Sequence, residues 1–162
     1  MSSTQFSKSD ASILKPLRPS RPAFFDATKL PWSDWVIDGT HFKLLNIDKK
    51  TGGFTMLLKV DPGNDSPVHG HIGAVEAYVY EGEFGYDEDR GGVGSYVYEE
   101  AGAVHMPDSP LGTMMFAIVH GPLVGYNDDG SVAAIIDGKF MYELAAQNGA
   151  SAHLAHLSDF PK

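Results

Sequence analysis

The residues best suited to chemistry are two histidines one residue apart, His69 and His71, in the segment PVHGHIGAVEAYVYEGE (67–83). Alternate residues of a β-strand point to the same face, so both imidazoles can reach one metal ion. The chain has seven histidines and no cysteine, so nitrogen or oxygen atoms must hold any metal. A lone H-x-H is a weak motif, and its surroundings therefore decide its meaning.

A second segment, GSYVYEEAGAVH (94–105), repeats the arrangement around the histidine pair. It contains a glycine, a short strand, a turn with glycine and then His105. Before the first segment, Gly63 occupies the turn DPGND that precedes His69. If His105 lies on a neighbouring strand, it completes a face of three neutral nitrogen donors, a set that suits a divalent metal.

Together the two segments resemble the two sequence motifs of the cupin family. The positions that fit are Gly63, His69, His71 and Gly82 in the first motif, and Gly94, Gly102 and His105 in the second. Cupins carry proline and asparagine where this chain has Glu100 and Ser109. The resemblance covers about residues 31–125. It implies a jelly-roll β-barrel with the metal inside it, and homodimers are common in the family.

The glutamate of the first motif departs from the cupin pattern. A cupin's metal-binding glutamate stands seven residues before the motif glycine, where this chain has Val75, and Glu76 follows one position later. Strand parity turns Glu76 to the other face unless a bulge near Gly73 restores it. A site of three histidines resembles the acetylacetone dioxygenase and 2,4′-dihydroxyacetophenone dioxygenase branch, which uses non-haem iron to cleave a carbon–carbon bond beside a carbonyl. The zinc-binding cupin domain of anti-sigma factors is also similar.

Three more side chains are candidates for the surroundings of the metal. Glu88 shares strand parity with Tyr86, so it is either a late fourth ligand or part of a solvated hairpin tip. Glu99 lies where the resembling dioxygenases carry an acid that orients a ligand histidine, or it is a surface acid beside Glu100. Tyr86 either lines the cavity or packs in the core.

A site of three neutral imidazoles also implies a class of substrate. Because the protein leaves the charge of a divalent ion uncompensated, the site favours an anionic chelating ligand such as an enolate. The expected metal is Fe(II), with Zn, Ni or Mn as alternatives, and an octahedral ion keeps three positions for a bidentate carbonyl substrate and O₂. We therefore predict a dioxygenase acting on a small β-diketone or hydroxyketone. A non-catalytic metal-binding cupin (a ligand sensor or zinc-stabilised module) and a metal-dependent isomerase remain as alternatives.

The elements that must position these residues are short strands. Runs rich in Val, Ile, Tyr, Phe and Thr alternate with turns of Gly, Pro, Asn and Asp, at spacings typical of a β-sandwich or barrel. The runs are HFKLLNI, FTMLLKV, VEAYVYEGEFGY, GSYVYE, TMMFAIV and SVAAIIDGKFMYEL. Only the tail ELAAQNGASAHLAHL has a helical pattern. The fold class is therefore predicted as all-β.

Domain organisation and charge exclude several other functions. Three prolines in KPLRPSRPAFFD predict an extended N-terminal arm over residues 1–30, followed by a single domain over 31–162. That domain has 7 basic and 19 acidic residues, a net charge of −12, which is unsuited to nucleic acid. The sequence lacks an apolar run of about 18 residues for a membrane span and an apolar leader for secretion, so we expect a cytoplasmic protein.

Overall fold

The computed structural model describes residues 24–160, and antiparallel β-strands dominate that range. The strands β1 to β13 span, in order, Ser33–Asp34, Thr40–Ile47, Phe54–Val60, Asn64–Asp65, His69–His71, Val75–Tyr86, Asp89–Gly92, Tyr96–Glu99, Val104–His105, Asp108–Ser109, Thr113–Val119, Leu123–Tyr126 and Val132–Ile136. One α-helix, α1, spans Gly138–Gln147, and 3-10 helices span Ala27–Lys29 and Ala152–Leu157. Among these helices, none has the length and apolar character needed to cross a membrane.

The strands form two sheets that share one apolar core. The larger sheet has the order β1-β2-β3-β11-β6-β10-β4, with β7 and β8 also paired to β6, and the smaller has the order β13-β12-β5-β9. Every pairing between these strands is antiparallel. The predicted all-β class and jelly-roll architecture are therefore confirmed.

The long central strands lie where the sequence pattern predicts them. The runs at 54–60, 75–86 and 113–119 coincide with β3, β6 and β11. In β3 and β11 burial alternates with a period of two, which places one face of each strand in the core. Burying each large apolar side chain there stabilises the fold by roughly 1.5–3 kcal/mol. The alternation of apolar residues therefore determines which face of β3 and of β11 packs into the core.

The last predicted strand, over residues 131–144, is wrong beyond Ile136. Asp137 ends the strand and caps a helix, because its side chain accepts a hydrogen bond from the backbone N–H of Phe140 (2.8 Å). Met141 and Ala145 lie one helical turn apart and are both fully buried. The helical segment predicted in the tail therefore begins earlier, at Gly138.

The predicted N-terminal arm over residues 1–30 falls largely outside the described residues. Within 24–30 the chain is not extended throughout, since Ala27–Lys29 form a 3-10 turn. The ammonium group of Lys43 in β2 donates hydrogen bonds to the carbonyls of Ala27 and Thr28, both at 3.2 Å. These bonds satisfy the turn's carbonyls and hold it against the larger sheet.

Candidate metal centre

The smaller sheet brings the three predicted histidines together. His69 and His71 are the two ends of β5, and His105 on β9 is paired directly with His69. Opposite residues of an antiparallel pair share a face, so all three imidazoles face the same side. The Nε2 atom of His105 lies 3.0 Å from Nε2 of His69 and 2.9 Å from Nε2 of His71. Within residues 24–160, this is the one cluster of three or more metal-ligating side chains.

Burial keeps these imidazoles neutral. Desolvation, with a smaller contribution from the neighbouring imidazoles, lowers the pKa of His71 to about 4 and of His105 to about 3. Desolvation also lowers the pKa of His69. Because only a neutral imidazole offers a nitrogen lone pair, all three rings are ready to bind a metal at neutral pH. The convergence of three such nitrogens fits a divalent cation.

Glu99 lies behind two of the histidines, at the end of β8. One carboxylate oxygen is 3.5 Å from Nδ1 of His71 and the other is 3.7 Å from Nδ1 of His105. Its side chain is only 8% exposed, and this burial raises its pKa to about 7. Nδ1 of His71 and Oε1 of Glu99 find no hydrogen-bond partner among the described residues. Glu99 is therefore not a surface acid, and its position is the one from which carboxylates orient metal-bound imidazoles.

Glu76 points away from this site, as strand parity predicts. The hydroxyl of Tyr96 donates to Oε1 of Glu76, and Nε2 of His120 lies beside Oε2, each at 2.6 Å. Val75 takes the inward position and is 8% exposed. The pairing of β6 with β11 is regular from Val75 to Val79, so no bulge restores the carboxylate to the inner face.

Glu88 and Tyr86 do not join the histidine cluster as ligands. Glu88 is exposed in the turn between β6 and β7, where Asp87 adopts a φ of 45°. The parity rule stops at Tyr86 because the strand ends there, and of the two interpretations of Glu88 its exposed position matches the solvated hairpin tip. The ring centroids of Tyr86 and His105 are 4.8 Å apart. The buried hydroxyl of Tyr86 has no hydrogen-bond partner among the described residues. Tyr86 thus supports His105 from the side.

An apolar cavity of about 260 Å³ opens beside the histidines. Both sheets contribute to its walls, with residues that include Leu58, Ala77, Met115, Ala117, Leu123 and Ile136. His69, His71 and Glu99 lie at its polar side. No lysine or arginine of residues 24–160 lines it. The cavity therefore suits a small ligand whose polar group reaches the histidines and whose remainder is apolar.

Comparison with known proteins agrees with this fold. Residues 20–124 match the ChrR cupin-like domain family. An RmlC-like cupin protein from Ralstonia eutropha JMP134 has a TM-score of 0.69 and 29% identity, covering 77% of this chain and 85% of that chain. An acetylacetone dioxygenase from Acinetobacter johnsonii has a TM-score of 0.65 and 22% identity, covering 87% of this chain and 95% of that chain. This likeness establishes the fold alone. A search of curated proteins finds no significant match.

Proposed function

The chain belongs to the ChrR cupin-like domain family. From its histidine cluster, we propose that it is a metal-dependent dioxygenase that cleaves a carbon–carbon bond in a small β-diketone or hydroxyketone. The observation that carries the proposal is the convergence of three imidazole Nε2 atoms with no carboxylate among them. The apolar cavity beside them supports it. The fold that the chain shares with an acetylacetone dioxygenase lends further support.

We assign His69, His71 and His105 as the metal ligands and Fe(II) as the native metal. Zinc or nickel can occupy such a site in purified protein because both bind nitrogen ligands more tightly than Fe²⁺, and manganese, which binds less tightly, can occupy it where it is more available. A bound Fe(II) ion would supply Lewis acidity toward carbonyl oxygens and the redox chemistry that O₂ requires. Three neutral ligands leave the ionic charge uncompensated, which favours a substrate that binds as an enolate.

The chain's own residues orient the ligands and exclude water. The Glu99 carboxylate faces Nδ1 of His71 at 3.5 Å and of His105 at 3.7 Å, and we assign it the role of holding the proton of each ring on Nδ1 when Nε2 binds a metal. The aliphatic walls keep the substrate carbonyls away from bulk water and so strengthen electrostatic interactions in the site. In the overall reaction one O₂ is consumed per substrate, the bond beside a carbonyl breaks, and each fragment receives one oxygen atom.

Oxygen consumption tests this function. Full-length protein loaded with Fe(II) under anaerobic conditions is expected to consume one O₂ per substrate when it is mixed with a panel of β-diketones and hydroxyketones. An oxygen electrode, together with product analysis, measures this ratio. Uptake with none of the panel would reject the dioxygenase assignment.

A non-catalytic metal-binding cupin is the second candidate, and the match to a ChrR cupin-like domain favours it. Such a protein would bind zinc tightly and consume no O₂ with any carbonyl compound. The zinc content of a purified sample does not decide between the two functions, because zinc outcompetes Fe²⁺ at most nitrogen sites. The oxygen measurement does decide between them.

We also propose that the protein forms a homodimer. The outward face of β6, β8 and β11 exposes four aromatic side chains: Tyr78, Tyr96, Tyr98 and Phe116 are 50%, 63%, 59% and 37% exposed. On the same face the charge of Glu76 is paired with His120. Two copies that each carry −9 approach most easily through a face of low charge, and aromatic residues are enriched at interfaces.

Sedimentation equilibrium is expected to give a mass near twice 17.5 kDa at micromolar concentrations. Tyr78→Glu, which places a charge at the centre of this face, is expected to shift the protein toward monomer. Val132→Glu, at an exposed apolar position of β13 in the smaller sheet, is the control and should leave the mass unchanged. A wild-type protein that is monomeric at all concentrations would contradict this proposal.

A further inference from the structure

The inward face of the larger sheet carries two alanines at its centre. Ala77 of β6 and Ala117 of β11 lie directly opposite each other, and both line the cavity. The inward neighbours two positions away along the two strands are all larger: Val75, Val79, Met115 and Val119. Two methyl groups surrounded by longer side chains leave the cavity wall recessed at this point.

The recess lies one row of side chains away from the histidine site. On β8, Glu99 is paired with Val75, and the next inward residue, Val97, is paired with Ala77. Rows two residues apart along a strand are separated by about 7 Å. Because His69 and His71 line the same cavity as Ala77 and Ala117, a substituent of a few carbons on a molecule bound at the histidines can reach the two alanines through that cavity.

The walls offer that substituent no charge partner. Apart from the histidines and Glu99, the lining residues with polar side-chain groups are Thr40, Ser66, Tyr126 and Trp35, whose indole N–H donates to the sulfur of Met141. The hydroxyl of Thr40 already donates to the carbonyl of Ile37. Of the residues that the structure describes, no cationic side chain lines the cavity, so a charged substituent would be buried without compensation.

We propose that Ala77 and Ala117 form the subsite for an uncharged hydrocarbon substituent and thereby select 1,3-diketones longer than pentane-2,4-dione. This inference rests on the proposed function of the histidine site and narrows its substrate class. Selection follows from size and polarity: the recess accepts alkyl or aryl groups and rejects carboxylates.

Binding to the zinc-loaded full-length protein tests the subsite without oxygen chemistry. Calorimetry would compare pentane-2,4-dione, nonane-2,4-dione and 6,8-dioxononanoate, in which a carboxylate replaces the terminal methyl of the nonane compound. Each buried methylene favours binding by about threefold to fourfold. Nonane-2,4-dione is therefore expected to bind at least tenfold more tightly than pentane-2,4-dione, and at least tenfold more tightly than the carboxylate.

Substitution of Ala117 tests the assignment of the recess itself. Ala117→Leu fills the recess. It is expected to weaken the binding of nonane-2,4-dione at least tenfold and to leave the affinity for pentane-2,4-dione within about threefold of the unsubstituted protein. Ala117→Val adds fewer atoms and suits a strand, so it provides a graded second variant if leucine perturbs folding. Ala146→Leu, at an exposed position of α1, is the matched control and should change neither affinity.

The outcomes separate the two proposals. In one outcome both diketones bind, while Ala117→Leu or Ala117→Val changes the two affinities equally or changes neither. In that case the recess is not the subsite, and the metal-site assignment stands. If 6,8-dioxononanoate binds as tightly as nonane-2,4-dione, the selection against charge is rejected. If zinc binds but neither diketone does, the proposed substrate class fails and this inference fails with it.

Discussion

Replacing His71 by alanine is expected to lower metal affinity by more than about 100-fold and to abolish oxygen uptake. The side chain is 4% exposed, its pKa is lowered to about 4, and its Nε2 atom lies 2.9 Å from Nε2 of His105. Losing a residue that only orients a ligand already costs about 10–100-fold, so losing a ligand should cost more. Competition with a chromophoric chelator measures the affinity, and elemental analysis measures retained metal.

His120→Ala is the matched control for this experiment. It removes the same side chain beside the outward face of the larger sheet, where Nε2 lies 2.6 Å from Oε2 of Glu76. Metal affinity should then stay within about threefold of the unsubstituted protein. If His71→Ala retains wild-type metal affinity, or if the two variants lose it equally, the three-histidine assignment is wrong.

Glu99→Gln is expected to weaken metal binding by about 10–100-fold without removing a ligand. The carboxylate faces Nδ1 of His71 at 3.5 Å and of His105 at 3.7 Å, and glutamine keeps its shape while removing its charge. A bound cation makes these Nδ1 protons more acidic, so a neutral amide stabilises them less well. The same chelator competition measures the loss, and steady-state oxygen uptake measures its effect on turnover.

Glu100→Gln supplies the control one residue away. Glu100 follows Glu99 directly but is exposed. Its substitution therefore removes the same charge from a neighbouring position that does not face the imidazoles. We expect no more than a twofold change in metal affinity. Equal effects of the two substitutions would show that general charge, rather than contact with the imidazoles, determines the affinity.

Strand parity accounts for most of what could be predicted from the sequence. The pleat alone places His69 and His71 on one face and turns Glu76 away, and both orientations are observed. Parity could also have chosen between Glu99 and Glu100, because Glu99 is two residues from Val97 on the inward face. Parity could not choose between the two interpretations of Glu88, because it holds only to the end of the strand, and the turn at Asp87 follows Tyr86.

Other features depend on contacts between distant segments. The recess exists because Ala77 is paired with Ala117, forty residues later, and no local pattern specifies that register. The start of α1 was missed because Val132–Ile136 and the helix together read as one apolar run. Only the capping bond of Asp137 and the burial of Met141 separate them.

The adjacency of Val75 and Glu76 constrains how such a site can evolve. Sliding β6 by one residue would bring the carboxylate inside, but it would also bring Tyr78 into the barrel and expel Ala77 and Val79. A shift of the strand therefore cannot add the Glu76 carboxylate to the site without also displacing core side chains. A glutamate in place of Val75 would instead put a carboxylate on the inward face while every neighbouring residue keeps its register.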